Sequence, residues 1–180
     1  GHAGTLDPLA TGLLIICSGR KTKEIELYQD YYKTYTGIIH LGAVTPSMDL
    51  ETEPENFKSL DDITEEKIMT VRDDFTGEIS QMPPMYSALK HKGKSLYKYA
   101  RKGVDIERKP RNVIITRFEI SKIELPNVHF EIECSKGTYL RVIASDFGEK
   151  LGCGGYLKEL RRTKIGDHSV EQALGINEIK

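Results

Sequence analysis

No apolar run in this 180-residue sequence exceeds the five residues from Leu13 to Cys17. A membrane-spanning helix needs about 20, so no segment is suited to cross a bilayer as a helix and no membrane partner is expected. Cysteine is scarce. Cys17, Cys134 and Cys153 lie far apart and make neither a disulfide framework nor a paired-cysteine metal site. A reduced, cytoplasmic compartment fits that usage. The histidines, His2, His40, His91, His129 and His168, have no ligand spacing, so no metal is expected. Internal repeats and low-complexity tracts are missing. Ser18-Gly19-Arg20-Lys21-Thr22 superficially suggests a phosphate loop. However, Arg20 follows Gly19 where lysine is required, and Leu14 stands where the first glycine is required, so the Walker pattern fails.

Charge of either sign is also missing in the sum, which is −1. A uniformly basic nucleic-acid binder is therefore excluded, but the charges are segregated. Pro46 to Glu78 holds eleven acids against three Lys or Arg, whereas Ala88 to Arg111 holds nine Lys or Arg against two acids. A basic segment set apart in this way is the footprint of phosphate contact. Tyr97 and Tyr99 are interleaved with Lys94, Lys98, Arg101 and Lys102, a pattern in which a helix turns cations outward while the rings pack or stack.

With 38% hydrophobic and 29% charged residues, the chain suits one globular domain with a sizeable core. Lys21 to Tyr28 reads as a short helix. Lys33 to Leu41, rich in β-branched and aromatic residues, reads as a strand. Gly42 to Phe57 reads as an acidic loop. Thr64 to Phe75 reads as a helix capped by Thr64, with Ile68, Val71 and Phe75 on one side. Gln81 to Lys90, with Pro83 and Pro84, breaks regular structure. Arg111 to Ile123 and Asn127 to Cys134 read as a hairpin of two strands, the second alternating Val128, Phe130, Ile132 and Cys134 with polar residues. A helix follows to Leu151, with Ile143 and Phe147 inward. Gly175 to Lys180 opens a further helix.

The chemistry concentrates at the amino terminus. Gly1-His2-Ala3-Gly4-Thr5-Leu6-Asp7-Pro8-Leu9-Ala10-Thr11-Gly12 presents one acid among small and turn-forming residues. Pro8 pushes Asp7 out of the α region and stiffens the chain after it. Leu13 to Cys17 is expected to anchor this loop in a core.

This stretch closely resembles the catalytic motif of the TruB family of tRNA pseudouridine synthases. Three further segments resemble the same family: Met82-Pro83-Pro84-Met85-Tyr86-Ser87-Ala88-Leu89-Lys90, Cys134-Ser135-Lys136-Gly137-Thr138-Tyr139-Leu140-Arg141, and Leu160-Arg161-Arg162-Thr163. The resemblance implies an α+β pseudouridine synthase fold, with a mixed, largely antiparallel sheet and a catalytic cleft. It implies an isomerase, an intramolecular transferase that converts uridine 55 of the tRNA T-loop to pseudouridine. It also implies that residues 1–180 are the catalytic domain without the family's first strand and carboxy-terminal RNA-binding domain. Residues 88–111 would be a thumb that grips RNA.

The resemblance assigns roles by position. Asp7 is the catalytic acid, Arg141 the arginine that pairs with it, and Tyr35 the ring against the flipped base. Tyr139 and Leu160 contact the substrate, and His2 fills space vacated in the RNA loop. Lys90, Lys92, Lys94, Lys98, Arg101 and Lys102 are the candidate RNA-binding cations of the thumb. The isomerisation has no redox step and no group donor, so no cofactor is implied. A carboxylate either adds to C1′ of the ribose or removes the C2′ proton, and an arginine nearby favours its ionised form. The segment before the thumb favours a stand-alone monomer over the guide-RNA-dependent relative. A tRNA-folding module acting by binding alone and a glycosidase are the rivals. The glycosidase ranks low because no second acid is placed beside Asp7.

Overall fold

A computed structural model describes residues 1–178, so the last two residues of the Gly175–Lys180 helix reading lie outside the described part. The strands are β1 (Thr11–Gly12), β2 (Lys33–Leu41), β3 (Gly77–Gln81), β4 (Lys90–His91), β5 (Lys94–Ser95), β6 (Arg111–Glu124), β7 (Asn127–Cys134), β8 (Gly155–Ile165) and β9 (His168–Ser169). The longer strands β2, β6 and β7 follow from their β-branched and aromatic content. The helices are α1 (Ile25–Asp30), α2 (Glu65–Asp73), α3 (Leu96–Ala100) and α4 (Leu140–Lys150).

Seven strands form one sheet in the order β1-β8-β2-β7-β6-β3, with β9 beside β8. Only β1 against β8 is parallel, so the sheet is mixed and largely antiparallel, in an α+β fold. β4 and β5 form a separate hairpin.

One face of the sheet carries the core. Along β7, Val128, Phe130, Ile132 and Cys134 are buried while their neighbours are only half so. That alternation turns one set of side chains toward α2 and α4. Ile68 of α2 and Ile143 and Phe147 of α4 close over it. The rings of Phe75, Phe118 and Phe147 pack pairwise, with centroids 5.8 to 6.4 Å apart. Burying each ring contributes roughly 1.5–3 kcal/mol. The Thr64 hydroxyl caps α2 by accepting from the Lys67 amide.

Helix α4 lies unusually close to β8. A Cβ on Gly148 would stand 2.2 Å from the backbone of Gly154 and Gly155, so helix and strand touch main chain to main chain. The register that results delivers the first turn of α4 to the amino-terminal loop.

Four sequence expectations need correction. β3 occupies a stretch not read as a strand, because Gly77-Glu78-Ile79-Ser80-Gln81 has a single β-branched residue. The helix expected over 21–28 is instead a 3-10 turn, Gly19–Glu24, running into α1. Leu13 and Cys17 are buried, but Leu14 and Ile16 are 38% and 65% exposed, so only alternate residues of that run anchor the loop. The basic segment is not one helix. Lys90 and Lys94 sit on the β4–β5 hairpin, Lys98 on the five-residue α3, and Arg101 and Lys102 just beyond it.

Candidate active site

The Asp7 loop is closed on itself before it meets any other element. The Ala3 amide donates to the Ile15 carbonyl at 2.9 Å, and the Ala10 amide closes a turn on the Asp7 carbonyl at 2.9 Å. Gly12 makes the exit possible. Its φ is +105°, and a Cβ there would meet the Arg162 carbonyl oxygen at 2.2 Å, so only glycine lets β1 approach β8 this closely.

Arg141, the second residue of α4, reaches up under this loop with no exposure to solvent. Its Nε donates to Asp7 Oδ2 at 2.8 Å and its Nη2 to Oδ1 at 2.9 Å. Nη2 also donates to the Tyr86 carbonyl at 2.7 Å, and Nη1 to the Ser47 carbonyl at 3.1 Å. Burial works against the guanidinium charge, but Asp7, Tyr97 and Asp49 together outweigh it and the Arg141 pKa rises. Tyr139, at the entrance of α4, is fixed by buried Gln81, which accepts from its amide at 2.8 Å and donates to its carbonyl at 3.1 Å.

The pair stands in a cleft of about 720 Å³ lined by Asp7, Tyr35, Tyr97, Tyr139, Leu160 and Arg162, among others. Asp7 keeps 27% of its side chain exposed there, against none for Arg141. The carboxylate is therefore presented to a ligand and the guanidinium is not. Tyr35 comes from β2, and burial pushes its phenol up to about 12. Tyr139 has the Arg111 guanidinium 5.7 Å from its ring centroid. Leu160 is half-buried at a lip, since it also lines a hollow of about 730 Å³ with Thr36, Ile38 and His129.

The sequence-predicted residues thus divide. Asp7, Arg141, Tyr35, Tyr139 and Leu160 come together. His2 does not line the cleft; it is exposed and bridges to Ile16 at the sheet margin. Lys90, Lys92, Lys94, Lys98, Arg101 and Lys102 are all exposed. Their segment reaches the cleft through Tyr97, whose hydroxyl donates to Glu51 Oε2 at 3.2 Å and whose ring meets Tyr86 edge-on. Burial raises the Tyr97 phenol pKa strongly.

Sequence reasoning missed the acidic loop. It read only as an acidic loop with no assigned role, yet Thr45, Ser47 and Asp49 are buried. Asp49 Oδ2 lies 3.5 Å from Arg141 Nε, and its Oδ1 accepts from the Glu51 amide at 2.9 Å. The Thr45 hydroxyl donates to the Asp49 carbonyl at 2.6 Å, and the Ser47 and Thr52 hydroxyls bond each other at 2.8 Å. A run of short hydroxyl and carboxyl side chains, which favour bonds to nearby backbone, was the available signal. Arg162, 1% exposed, lies in a family-like segment but was given no role. Among the described residues, no group of three or more His, Cys, Asp or Glu could hold a metal, and no helix is long and apolar enough to cross a membrane.

The mixed, largely antiparallel sheet places the chain in the pseudouridine synthase class of fold. Solved chains share it. One from a Cbf5-Nop10-Gar1 complex matches with a TM-score of 0.68 and 28% identity over 93% of this chain, which spans 41% of that one. Another, from an archaeal box H/ACA sRNP Nop10-Cbf5 complex, matches with 0.64 and 26% identity over 94%, spanning 39% of that chain. Within this class the chain belongs to the TruB family of pseudouridylate synthases, whose N-terminal domain model matches residues 1–140. A model described as the tRNA pseudouridylate synthase B C-terminal domain matches residues 141–180, a stretch that holds most of α4 and all of β8, a strand of the main sheet. The tRNA pseudouridine synthase B of Chloroherpeton thalassium is 54% identical over 180 residues, covering 99% of this chain and 75% of that protein. That of Flavobacterium johnsoniae is 51% identical over 176 residues, covering 98% and 77%.

Proposed function

We infer that the protein isomerises uridine to pseudouridine in tRNA, at position 55 of the T-loop, without a guide RNA and without a cofactor. The observation that carries this reading is the two-bond grip of buried Arg141 on Asp7 inside a cleft that Tyr35 lines. The reaction breaks the N1–C1′ bond, turns the detached base and forms a C5–C1′ bond, while C5 loses a proton and N1 gains one. One carboxylate serves it by either of two routes, addition to C1′ or removal of the C2′ proton. Arg141 keeps that carboxylate oriented in both.

The uridine must leave its stack, which costs a few kcal/mol that stacking in a pocket offsets. Tyr35 supplies the ring, and its hydroxyl is the group placed to assist at C5. Tyr139 and Leu160 bound the base, and His2 meets the RNA outside the cleft. The exposed cations from Lys90 to Lys102 take the phosphates of the T-stem. The protein works as a cytoplasmic monomer, with residues 1–180 as its catalytic domain and residues 88–111 as the thumb.

The test is pseudouridine mapping on bare T-loop RNA treated with wild type and Asp7→Asn. Modification at one uridine by wild type, and binding without modification by Asp7→Asn, is the expected result. Binding without product by both proteins would instead mark an RNA-folding module. Product only in the presence of added guide RNA would overturn the stand-alone reading.

A further inference from the structure

Arg141 holds the Asp7 side chain, but a different arginine holds both ends of its loop. Arg162 lies on β8 with 1% exposure. Its backbone carbonyl accepts from the Leu13 amide at 2.8 Å, in register with Gly12 of β1. Its guanidinium then turns back over the loop, with Nε donating to the Leu13 carbonyl at 2.8 Å and Nη2 to the Gly4 carbonyl at 3.0 Å. Those two carbonyls bracket Asp7. Arg162 is also the β8 register partner of Tyr35 on β2, and both side chains line the cleft.

We propose that Arg162 is a positioning residue: gripping the Gly4 and Leu13 carbonyls from the strand paired with Tyr35, it fixes where the aspartate loop stands relative to the tyrosine. The proposal rests on reading this cleft as the pseudouridine-forming site. Neutral donors would suffice to satisfy two carbonyls. A buried cation is costly to desolvate, and this one bonds two main-chain oxygens. Its planar fork spans donors in directions that a lysine ammonium, a point charge, does not reproduce. The two arginines divide the work. Arg141 sets the orientation of the carboxylate, and Arg162 sets its location. Displacing a reacting group by about 1 Å costs roughly 100-fold in rate.

The experiment compares the full chain carrying Arg162→Lys or Arg162→Gln with wild type. Three quantities are read: hydrogen exchange of peptides spanning 4–13 with the β6–β7 hairpin as internal reference, tRNA affinity, and single-turnover pseudouridine formation. Exchange in the loop should rise by about tenfold or more, as two charge-assisted bonds are lost, with the hairpin unchanged. The single-turnover rate should fall by about 100-fold, with part recovered in Arg162→Lys relative to Arg162→Gln, while tRNA affinity stays within about twofold of wild type. Unchanged loop exchange would overturn the proposal. So would a rate loss explained by lost tRNA affinity, or failure of both variants to fold at the assay temperature. If wild type forms no pseudouridine, the reading of the cleft falls, and the exchange comparison still decides whether Arg162 sets the loop.

Discussion

Asp7 and Arg141 stand 134 positions apart in the chain and meet through two parallel bonds of 2.8 and 2.9 Å. The planar fork of the guanidinium matches both carboxylate oxygens, which fixes the plane of the acid as well as its distance. The exposure is one-sided, so the acid meets solvent and substrate while the base of the pair stays dry.

That asymmetry makes the two partners unequal when removed. Arg141→Met leaves Asp7 and Asp49 close together without their shared cation, and breaking such a buried pair costs about 3–5 kcal/mol. Asp7→Asn leaves Arg141 bonded to the Ser47 and Tyr86 carbonyls with Asp49 still near, and costs less. Urea denaturation of both variants at neutral pH checks the order.

Asp49→Ala removes the second carboxylate beside Arg141 and the acceptor that shapes the loop at Glu51. Turnover is expected to fall by about 10- to 100-fold through misplacement of Arg141, with tRNA affinity unchanged. Leu50→Ala, at a neighbouring side chain that is 43% exposed, should leave turnover near wild type. Single-turnover assays of the two variants measure the contrast.

The cations from Lys90 to Lys102 are exposed, so on the proposed reading their contribution to binding is the release of counterions from RNA. Replacing Lys92 and Lys94 together by alanine should lower the slope of log affinity against log salt by about 1.5. The rate of the bound complex should not change. Filter binding across a salt series gives the slope.

Asp146 on α4 has a carboxyl pushed up to about 6, by burial first and the charge of Glu149 second. Its ordinary value is 3.8. A carboxyl raised on folding gives stability that is full below its unfolded value and is lost as pH rises through the folded one. Asp146→Asn should therefore raise the melting temperature at about pH 7.5 and leave it unchanged at about pH 3.5. The effect is small, because the side chain still reaches solvent. Calorimetric scans at the two pH values test the sign.

Strong local patterns were legible. β2 runs from Lys33 to Leu41 as its β-branched and aromatic residues indicate, and α2 starts at its threonine cap. The hairpin of β6 and β7 follows from the alternation that ends at Cys134. The aspartate loop was legible as a stiff turn, and its partner was indicated only by family resemblance, since no periodicity links residues so far apart. The loop from Thr45 to Thr52 offered only its short hydroxyl and carboxyl side chains as a signal, because its order comes from local hydrogen bonds of those side chains rather than from a repeating apolar face. Arg162 carried a readable signal. On β8 it shares an inward parity with Leu160, whereas Arg161 beside it faces solvent.

The contact between Gly148 and the Gly154–Gly155 backbone reaches further than its own neighbourhood. Gly148 lies two helical turns, about 10 Å, beyond Arg141 along α4. A single methyl at 148 has nowhere to go, so it acts as a wedge that levers the helix away from β8. At the other end of that lever, the guanidinium slides off its carboxylate. A conservative-looking change two turns along the same helix is thus expected to lower turnover while leaving RNA affinity unchanged.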